Sequence, residues 1–224
     1  MRLSKSKIGT WEKCPFLFKL KYIDGKAFDV KTPQMERGNE IHKLMEDYYK
    51  PEVKTIENLN KEITKQEKFV VHKEAVENFI KFNKRWNDSI PLYTEQELYD
   101  ETYNIIGIID RIGIRDNKII LWDYKSGQLH DLGKYRFELA LYTYLFEINH
   151  NQKVDYWGIF FVDHNVDMIE PVNRQEMQKA IEKVVSIRKE IKACSDKNEF
   201  CKKFNYDCRW CKAQQSGECD GATD

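Results

Sequence analysis

The sequence predicts a mixed α/β fold, with a central sheet flanked by helices, a helical N-terminal region and a Cys-rich C-terminal tail. Three observations predict it. Residues 96–125 are rich in Ile, Tyr and Thr and read as consecutive strands. The segments on either side carry apolar residues at helical spacing. The final stretch, "CKKFNYDCRWCKAQQSGECDGATD", follows neither period and holds four of the six cysteines. Helices, three strands, helix, strand, helix and tail together describe a sheet with helices packed on it.

The elements follow in order. "LSKSKIGTWEKCPFLFKLKYIDG" opens on serines and continues with an aromatic helical pattern. "ERGNEIHKLMEDYYK" is amphipathic, with Ile41, Leu44, Met45, Tyr48 and Tyr49 on one face. Residues 51–72 are polar and suit a loop with a short helix, and "HKEAVENFIKFNKRW" is helical again through Val76, Phe79, Ile80 and Trp86 until the Pro91 region stops it. Strands are expected over 96–103, 104–114 and 118–125, with Asp116-Asn117 as the turn between the last two. "YRFELALYTYLFEIN" predicts a helix facing inward through Phe137, Leu141, Tyr144, Leu145 and Ile148. "VDYWGIFFVDH" reads as a buried strand, with "DMIEPV" as its partner. Residues 174–193 form a last amphipathic helix through Met177, Ile181, Val184, Ile187 and Ile191.

A chain of 224 residues is long enough for one domain with its own core, burying roughly 70% of its unfolded surface. No repeat, low-complexity stretch or Pro/Gly-rich linker divides it. Its 37 basic and 37 acidic residues cancel, so no global field draws it to a polyanion. The charge is nevertheless uneven. Met1 to Lys26 carries seven Lys/Arg against two acids, Lys179 to Lys212 ten against five, and Trp86 to Asp110 six acids and no base. Basic ends and an acidic middle suit a divalent-cation site flanked by phosphate-binding surface. The N-terminus lacks the apolar core of a signal peptide, and "IIGII" and "WGIFFV" are too short to span a bilayer, so an intracellular, cytoplasmic protein with no membrane partner is expected. In a reducing compartment, six cysteines suggest metal ligands or buried thiols before disulfides.

The chemistry concentrates at "WDYKSG", residues 122–127. Strand alternation points Asp123 and Lys125 to one face, and Trp122 and Tyr124 to the other. On the preceding strand, "IIGIIDRIGI" ends an apolar run with Asp110, a carboxylate that is costly there unless paired or coordinated. An antiparallel hairpin about Asp116-Asn117 brings Asp110 and Asp123 together, and two adjacent carboxylates repel unless a cation lies between them. Mg²⁺ suits the pair, since it binds through one or two carboxylates and keeps its other positions for water or phosphate oxygens. Lys125 beside the ion is placed to orient or deprotonate a water, or to stabilise phosphorane charge. Glu95 or Glu97 on the strand before is a further candidate contact.

"SKSKIGTWEKCPFLFKLKYI", "GNEIH" (Gly38 to His42), "GIID" (Gly107 to Asp110), "DYK" and "ELALY" (Glu138 to Tyr142) stand in the order of the PD-(D/E)XK nuclease superfamily. The chain most resembles its RecB-like branch, which includes Cas4 and the AddB nuclease domain. The resemblance spans nearly the whole length, and five weak motifs in order are strong together. It implies a restriction-endonuclease-like core as a single domain over 1–224, with a helical insertion over 36–90, a catalytic core over 95–172, and a C-terminal helix and metal-binding tail over 174–224. It implies a Mg²⁺- or Mn²⁺-dependent deoxyribonuclease of bacterial, archaeal or phage origin. His42, Asp110 and Asp123 would be metal ligands, Lys125 the catalytic lysine, and Glu138 and Tyr142 substrate contacts, with Tyr142 also organising the catalytic site. The sequence departs from the branch at Glu138, where Gln is expected, and at Ile109, which replaces the Pro of PD.

Cys208-x-x-Cys211 followed by Cys219 forms a compact soft-ligand cluster that needs a fourth ligand. The resemblance supplies Cys14 and implies a [4Fe–4S] cluster tying the chain ends together. A Cys₄ zinc site is the alternative, Cys201 is a competing fourth ligand, and Cys194 is a spare thiol. Arg209, Trp210 and Lys212 beside these ligands suit contacts to DNA backbone or bases. No helix-turn-helix arm stands out, so an exonuclease or end-processing enzyme acting on single strands or duplex ends is favoured over a site-specific cutter. Partners of the kind implied are a helicase, recombination or CRISPR adaptation proteins. The alternative is a non-catalytic nucleic-acid-binding or partner-binding subunit, and an RNA-processing hydrolase would differ only in substrate.

Overall fold

A hairpin turn sets the register of the sheet. Asp116 and Asn117 both adopt positive φ, +50° and +61°, between the paired Arg115 and Lys118, which is the two-residue turn whose twist matches flanking antiparallel strands. The computed structural model describes residues 1–28, 32–50, 56–65, 70–86 and 91–220. The expected loop residues 51–55, the stretches 66–69 and 87–90, and the last four residues lie outside them. Contacts divide the chain into two units, one of Met1–Lys31, Glu101–Ile105 and Gln178–Asp224, the other of Thr32–Asp100 and Ile106–Met177.

The second unit is built on five strands in sequential order: β1 (Tyr93–Asp100), β2 (Ile105–Arg115), β3 (Lys118–Lys125), β4 (Tyr156–Phe161) and β5 (Val166–Pro171). The pairs β2–β3 and β4–β5 are antiparallel and β3–β4 is parallel, so the sheet is mixed. The parallel step needs a crossover, and the helix here numbered α6 (Arg136–His150) supplies it. "DMIEPV" pairs with "YWGIFF" as the alternating pattern predicts. The first strand starts earlier than expected, and residues 101–104 form a turn in which Asn104 takes the left-handed conformation.

One sheet face is covered by α3 (Pro33–Tyr48), α4 (Ile56–Thr64) and α5 (Lys73–Trp86). Thr32 caps α3 by accepting the Met35 N–H, with Pro33 at the first helical position. The predicted α3 stripe is buried throughout: Ile41, Leu44, Met45, Tyr48 and Tyr49. It joins Phe79 and Phe82 of α5 against Trp122, Tyr124 and Phe160 of the sheet. The Phe82 and Phe160 rings stack 4.2 Å apart, and Phe82 meets Trp122 edge-on at 4.9 Å. A Cβ on Gly158 would come within 2.3 Å of the Trp122 ring on the neighbouring strand, so only glycine fits there.

The other face is covered by α6. Trp157 donates to Thr143 Oγ1 at 2.7 Å, and Gly107 lies so close beneath the Tyr142 ring that a Cβ would come to 2.9 Å. This helix differs from its predicted stripe. Ile148 is 46% exposed, whereas Glu138, Leu139, Ala140, Thr143 and Phe146 are buried. A helix covered over most of its circumference buries neighbouring positions, and a one-face pattern cannot describe it.

In the first unit, the expected N-terminal helix is two helices, α1 (Lys5–Lys13) and α2 (Pro15–Tyr22). Pro15 forces the residue before it out of helical geometry, and Cys14 is extended at φ −164° and ψ 109°. Trp11 packs edge-on against Phe18 at 5.3 Å and donates its indole N–H to Glu190 at 3.0 Å. The long helix α7 (Arg174–Lys197) buries Ile181, Val184 and Ile187, and the tail contains only a short 3₁₀ turn (Tyr206–Trp210) and the short α8 (Lys212–Gln215) among the described residues. No helix among the described residues is long and apolar enough to cross a membrane.

Candidate active site

The site lies within the second unit, and five elements bring it together. Strand β2 places Asp110 one residue before Arg111, which pairs with Trp122 of β3. Asp110 therefore meets the β3 segment carrying Asp123, and its Oδ2 accepts the Tyr124 N–H at 2.5 Å. Helix α3 brings His42, whose Nδ1 stands 3.6 Å from Asp110 Oδ1. Strand β1 brings Glu95. Ligand atoms of His42, Glu95 and Asp110 all lie within 4.8 Å of one another, a spacing able to hold a metal ion.

Asp123 and Lys125 share one face of β3, as strand alternation requires. Lys125 Nζ stands 2.6 Å from Asp123 Oδ2 and 3.2 Å from Glu138 Oε2 of α6. The approach to Asp123 is an ion pair outside hydrogen-bond angles, so this buried oxygen has no directed donor. Tyr142, one turn beyond Glu138, donates its hydroxyl to Glu138 Oε1 at 3.2 Å. Lys125 Nζ also lies 5.2 Å from the centre of the Tyr135 ring.

The electrostatics are those of crowded carboxylates. Burial works against a charged His42, but Asp110, with Asp123 and Glu95 behind it, overrides it and lifts the imidazolium to about 9. Burial and then Asp110 push Glu95 up to about 7. Burial pushes Asp123 up to about 8, Asp110 and Glu138 reinforcing it and Lys125 opposing it. Burial disfavours the Lys125 ammonium, yet Asp123 and Glu138 outweigh it and raise its pKa. A divalent cation would relieve the same repulsion, and the donor set of one imidazole and hard carboxylate oxygens, with the Asp123 carboxylate beside it, fits Mg²⁺ or Mn²⁺.

Of the residues singled out from the sequence, His42, Asp110, Asp123, Lys125, Glu138 and Tyr142 all come to this place. Asp123 stands outside the His42–Glu95–Asp110 trio and faces Lys125. Glu95, weighed equally with Glu97 in the sequence, is half-buried in the trio, while Glu97 is exposed. Sequence reasoning missed Arg111, which is fully buried behind the site. Its guanidinium donates to Tyr49 Oη at 3.2 Å and Asn83 Oδ1 at 2.5 Å and lies over the Phe82 ring. An Arg directly after a strand aspartate was the available signal.

A second cluster lies in the first unit. Among the described residues, Cys14, Cys208, Cys211 and Cys219 line one cavity of about 290 Å³, together with five lysines and no carboxylate. Cys14 Sγ accepts the Leu17 N–H at 3.5 Å, and Cys208 Sγ accepts the Asn205 N–H at 3.3 Å. Cys201 is exposed and shares a different, shallower depression with Cys194.

A mixed sheet sandwiched by helices, with Asp, Asp-x-Lys and a helical His converging at one point, defines a nuclease-type site. The family profile of the PD-(D/E)XK nuclease superfamily matches residues 2–216, and the chain belongs to that superfamily. Its fold is accordingly restriction-endonuclease-like. Among solved structures, the chain is similar to a "Putative exonuclease" from Eubacterium rectale, with a TM-score of 0.62, 14% identity, and 92% of this chain and 86% of that one covered. SSO0001 overlaps with a TM-score of 0.37 at 15% identity over 93% and 95% of the two chains, which is too loose to bear on the fold. No curated protein matches the chain.

Proposed function

We propose that this protein is a Mg²⁺- or Mn²⁺-dependent deoxyribonuclease, an exonuclease or DNA end-processing enzyme that hydrolyses phosphodiester bonds. The observation that carries the reading is the convergence of His42, Glu95 and Asp110 within 4.8 Å, beside the Asp123–Lys125 pair. In this reading His42, Asp110 and Asp123 hold the cation, and Glu95 joins them. The bound cation would supply Lewis-acid polarisation of a phosphoryl oxygen and a more acidic water. Lys125, held between Asp123 and Glu138, stays an ammonium and stabilises charge developing on the phosphorus oxygens. Tyr142 fixes Glu138, and through it the reach of Lys125, and in this reading both contact the substrate.

The four cavity cysteines are assigned to a structural [4Fe–4S] cluster. The N–H donors to two of the sulfurs and the surrounding lysines suit an anionic thiolate-ligated group, with a Cys₄ zinc site as the alternative.

The test is a timed digest of end-labelled single- and double-stranded DNA with Mg²⁺, Mn²⁺ or chelator. Degradation is expected only with metal, and Asp123→Asn and Lys125→Ala are each expected to slow it by about 100-fold or more. Full activity in both variants would remove the site assignment, and DNA binding without cleavage in any metal would favour the non-catalytic subunit.

A further inference from the structure

Three of the most exposed aromatic side chains in the protein lie within seven residues of one another in the tail. Phe204 is 74% exposed, Tyr206 73% and Trp210 65%. Such rings are costly in water unless something covers them. Their backbone is pinned. Asn205 Nδ2 donates to the carbonyls of Lys13 and Lys203, and the 3₁₀ turn is closed by Cys208 N–H to Asn205 O and Cys211 N–H to Cys208 O. The Arg209 guanidinium stacks 3.6 Å from the centre of the Tyr206 ring. This cation occupies part of the ring's surroundings while most of the ring still faces solvent. Residues 202–212 hold Lys202, Lys203, Arg209 and Lys212 against one acid, Asp207, and Lys202 is paired with Asp220. Among the described residues Arg209 and Lys212 have no carboxylate partner.

We propose that Phe204, Tyr206 and Trp210, with Lys203, Arg209 and Lys212, form a binding platform for single-stranded DNA. Unpaired bases offer flat faces that stack on aromatic rings, and the phosphates between them match the interleaved cations. Duplex bases have no free faces, so the platform selects the single strand. A protein surface would cover the rings but would need acidic groups matched to this basic rim, whereas every nucleotide brings a ring and an anion together. The proposal rests on the reading of the chain as a DNA-processing enzyme, and it concerns binding at a place separate from the Asp123 site.

Anisotropy of a fluorescein-labelled oligothymidylate in chelator, where nothing is cut, measures it. The Phe204→Ala/Tyr206→Ala variant is the principal probe, because neither side chain lines the cysteine cavity, and an unchanged melting curve and iron content certify its fold. We expect about ten-fold or greater loss of affinity, with Tyr206→Phe and Trp210→Phe close to wild type. Wild type should bind an abasic strand of the same length as weakly as the double variant does. Equal affinity of wild type and double variant for oligothymidylate overturns the platform, as does equal wild-type affinity for the abasic strand. No binding by wild type overturns it too and leaves the rings to a protein partner. Loss of nuclease activity is read separately in Asp123→Asn, so either reading can fail while the other stands.

Discussion

Glu95 sits in β1 with φ at +45°. Among the described residues, the other non-glycine positions with positive φ are all Asn or Asp, which tolerate that region. A glutamate held there inside a strand stores strain, and strain persists where the surroundings over-determine the residue. Here it turns the carboxylate toward His42 and Asp110. Glu95→Gln is therefore expected to weaken Mn²⁺ binding by at least about ten-fold, the loss that even a supporting group around a metal produces, as read by titration calorimetry. Gly107→Ala is expected to cost about 1–3 kcal/mol in urea unfolding, because its Cβ would drive into the Tyr142 ring. Asp110, Asp123 and Lys125 were legible in the sequence because they depend only on period-two alternation and on one turn with a known chemistry. Glu95 was not separable from Glu97, because what distinguishes them is a backbone twist that no residue pattern announces. Arg111 was hidden for a related reason. A cation on a strand reads as a solvated edge until the tyrosines and asparagine that enclose it, from α3 and α5, are in place.

At the scale of elements, the position of α3 decides where His42 lies. Arg37 near its start grips Asp163 through two nitrogens, at 2.9 and 2.6 Å, and Asp163 also accepts the Gly127 N–H at 2.7 Å just past the "DYK" strand end. Gly38 in the next turn position packs so tightly that a Cβ would lie 3.1 Å from Ser126 Oγ. The two motifs therefore touch, and the Arg37–Asp163 clasp closes over them. Burial works against the Asp163 carboxylate, but Arg37 and the Gly127 N–H overcome it and hold its pKa below the usual value. A carboxyl depressed in the folded state stabilises above its unfolded pKa of ~3.9, and that contribution disappears as pH falls through the folded value. Asp163→Asn is thus expected to lose about 1 kcal/mol near neutral pH, with the difference from wild type closing below ~3.9, as measured by urea midpoints across pH. A constant difference at every pH would mean that packing, not charge, holds the clasp. The expected amphipathic segment starts at Glu36, whereas the Thr32 cap and Pro33 start α3 about a turn earlier. The break at Cys14 was readable in principle from Pro15, but the aromatic run on both sides concealed it.

At the scale of the whole chain, residues from its two ends meet at the cysteines. Cys14 follows α1, and Cys208, Cys211 and Cys219 come from the tail, yet all four line one cavity. A group bound to all of them closes a loop of most of the chain, and closure on that scale stabilises by restricting the unfolded state. If the proposed [4Fe–4S] assignment holds, anaerobically purified protein is brown and carries iron and acid-labile sulfide in equal amounts. Cys14→Ser then loses the iron and about 5 kcal/mol of stability, as a cross-link closing a loop of order 100 residues or more would. Cys194→Ser is the control, because Cys194 lies outside the cavity. Hydrogen exchange should localise the loss, since α2 starts at Cys14 and its first turn hydrogen-bonds to that sulfur. Faster exchange at Leu17 and along α2 in Cys14→Ser is the expected pattern. Colourless protein with stoichiometric zinc would transfer the same mechanical role to a different metal. An iron-free, zinc-free protein as stable as Cys14→Ser would mean that the thiols close no loop at all, and that contacts such as the Trp11 indole on Glu190 and the Asn205 amide on the Lys13 carbonyl join the two ends of the sequence.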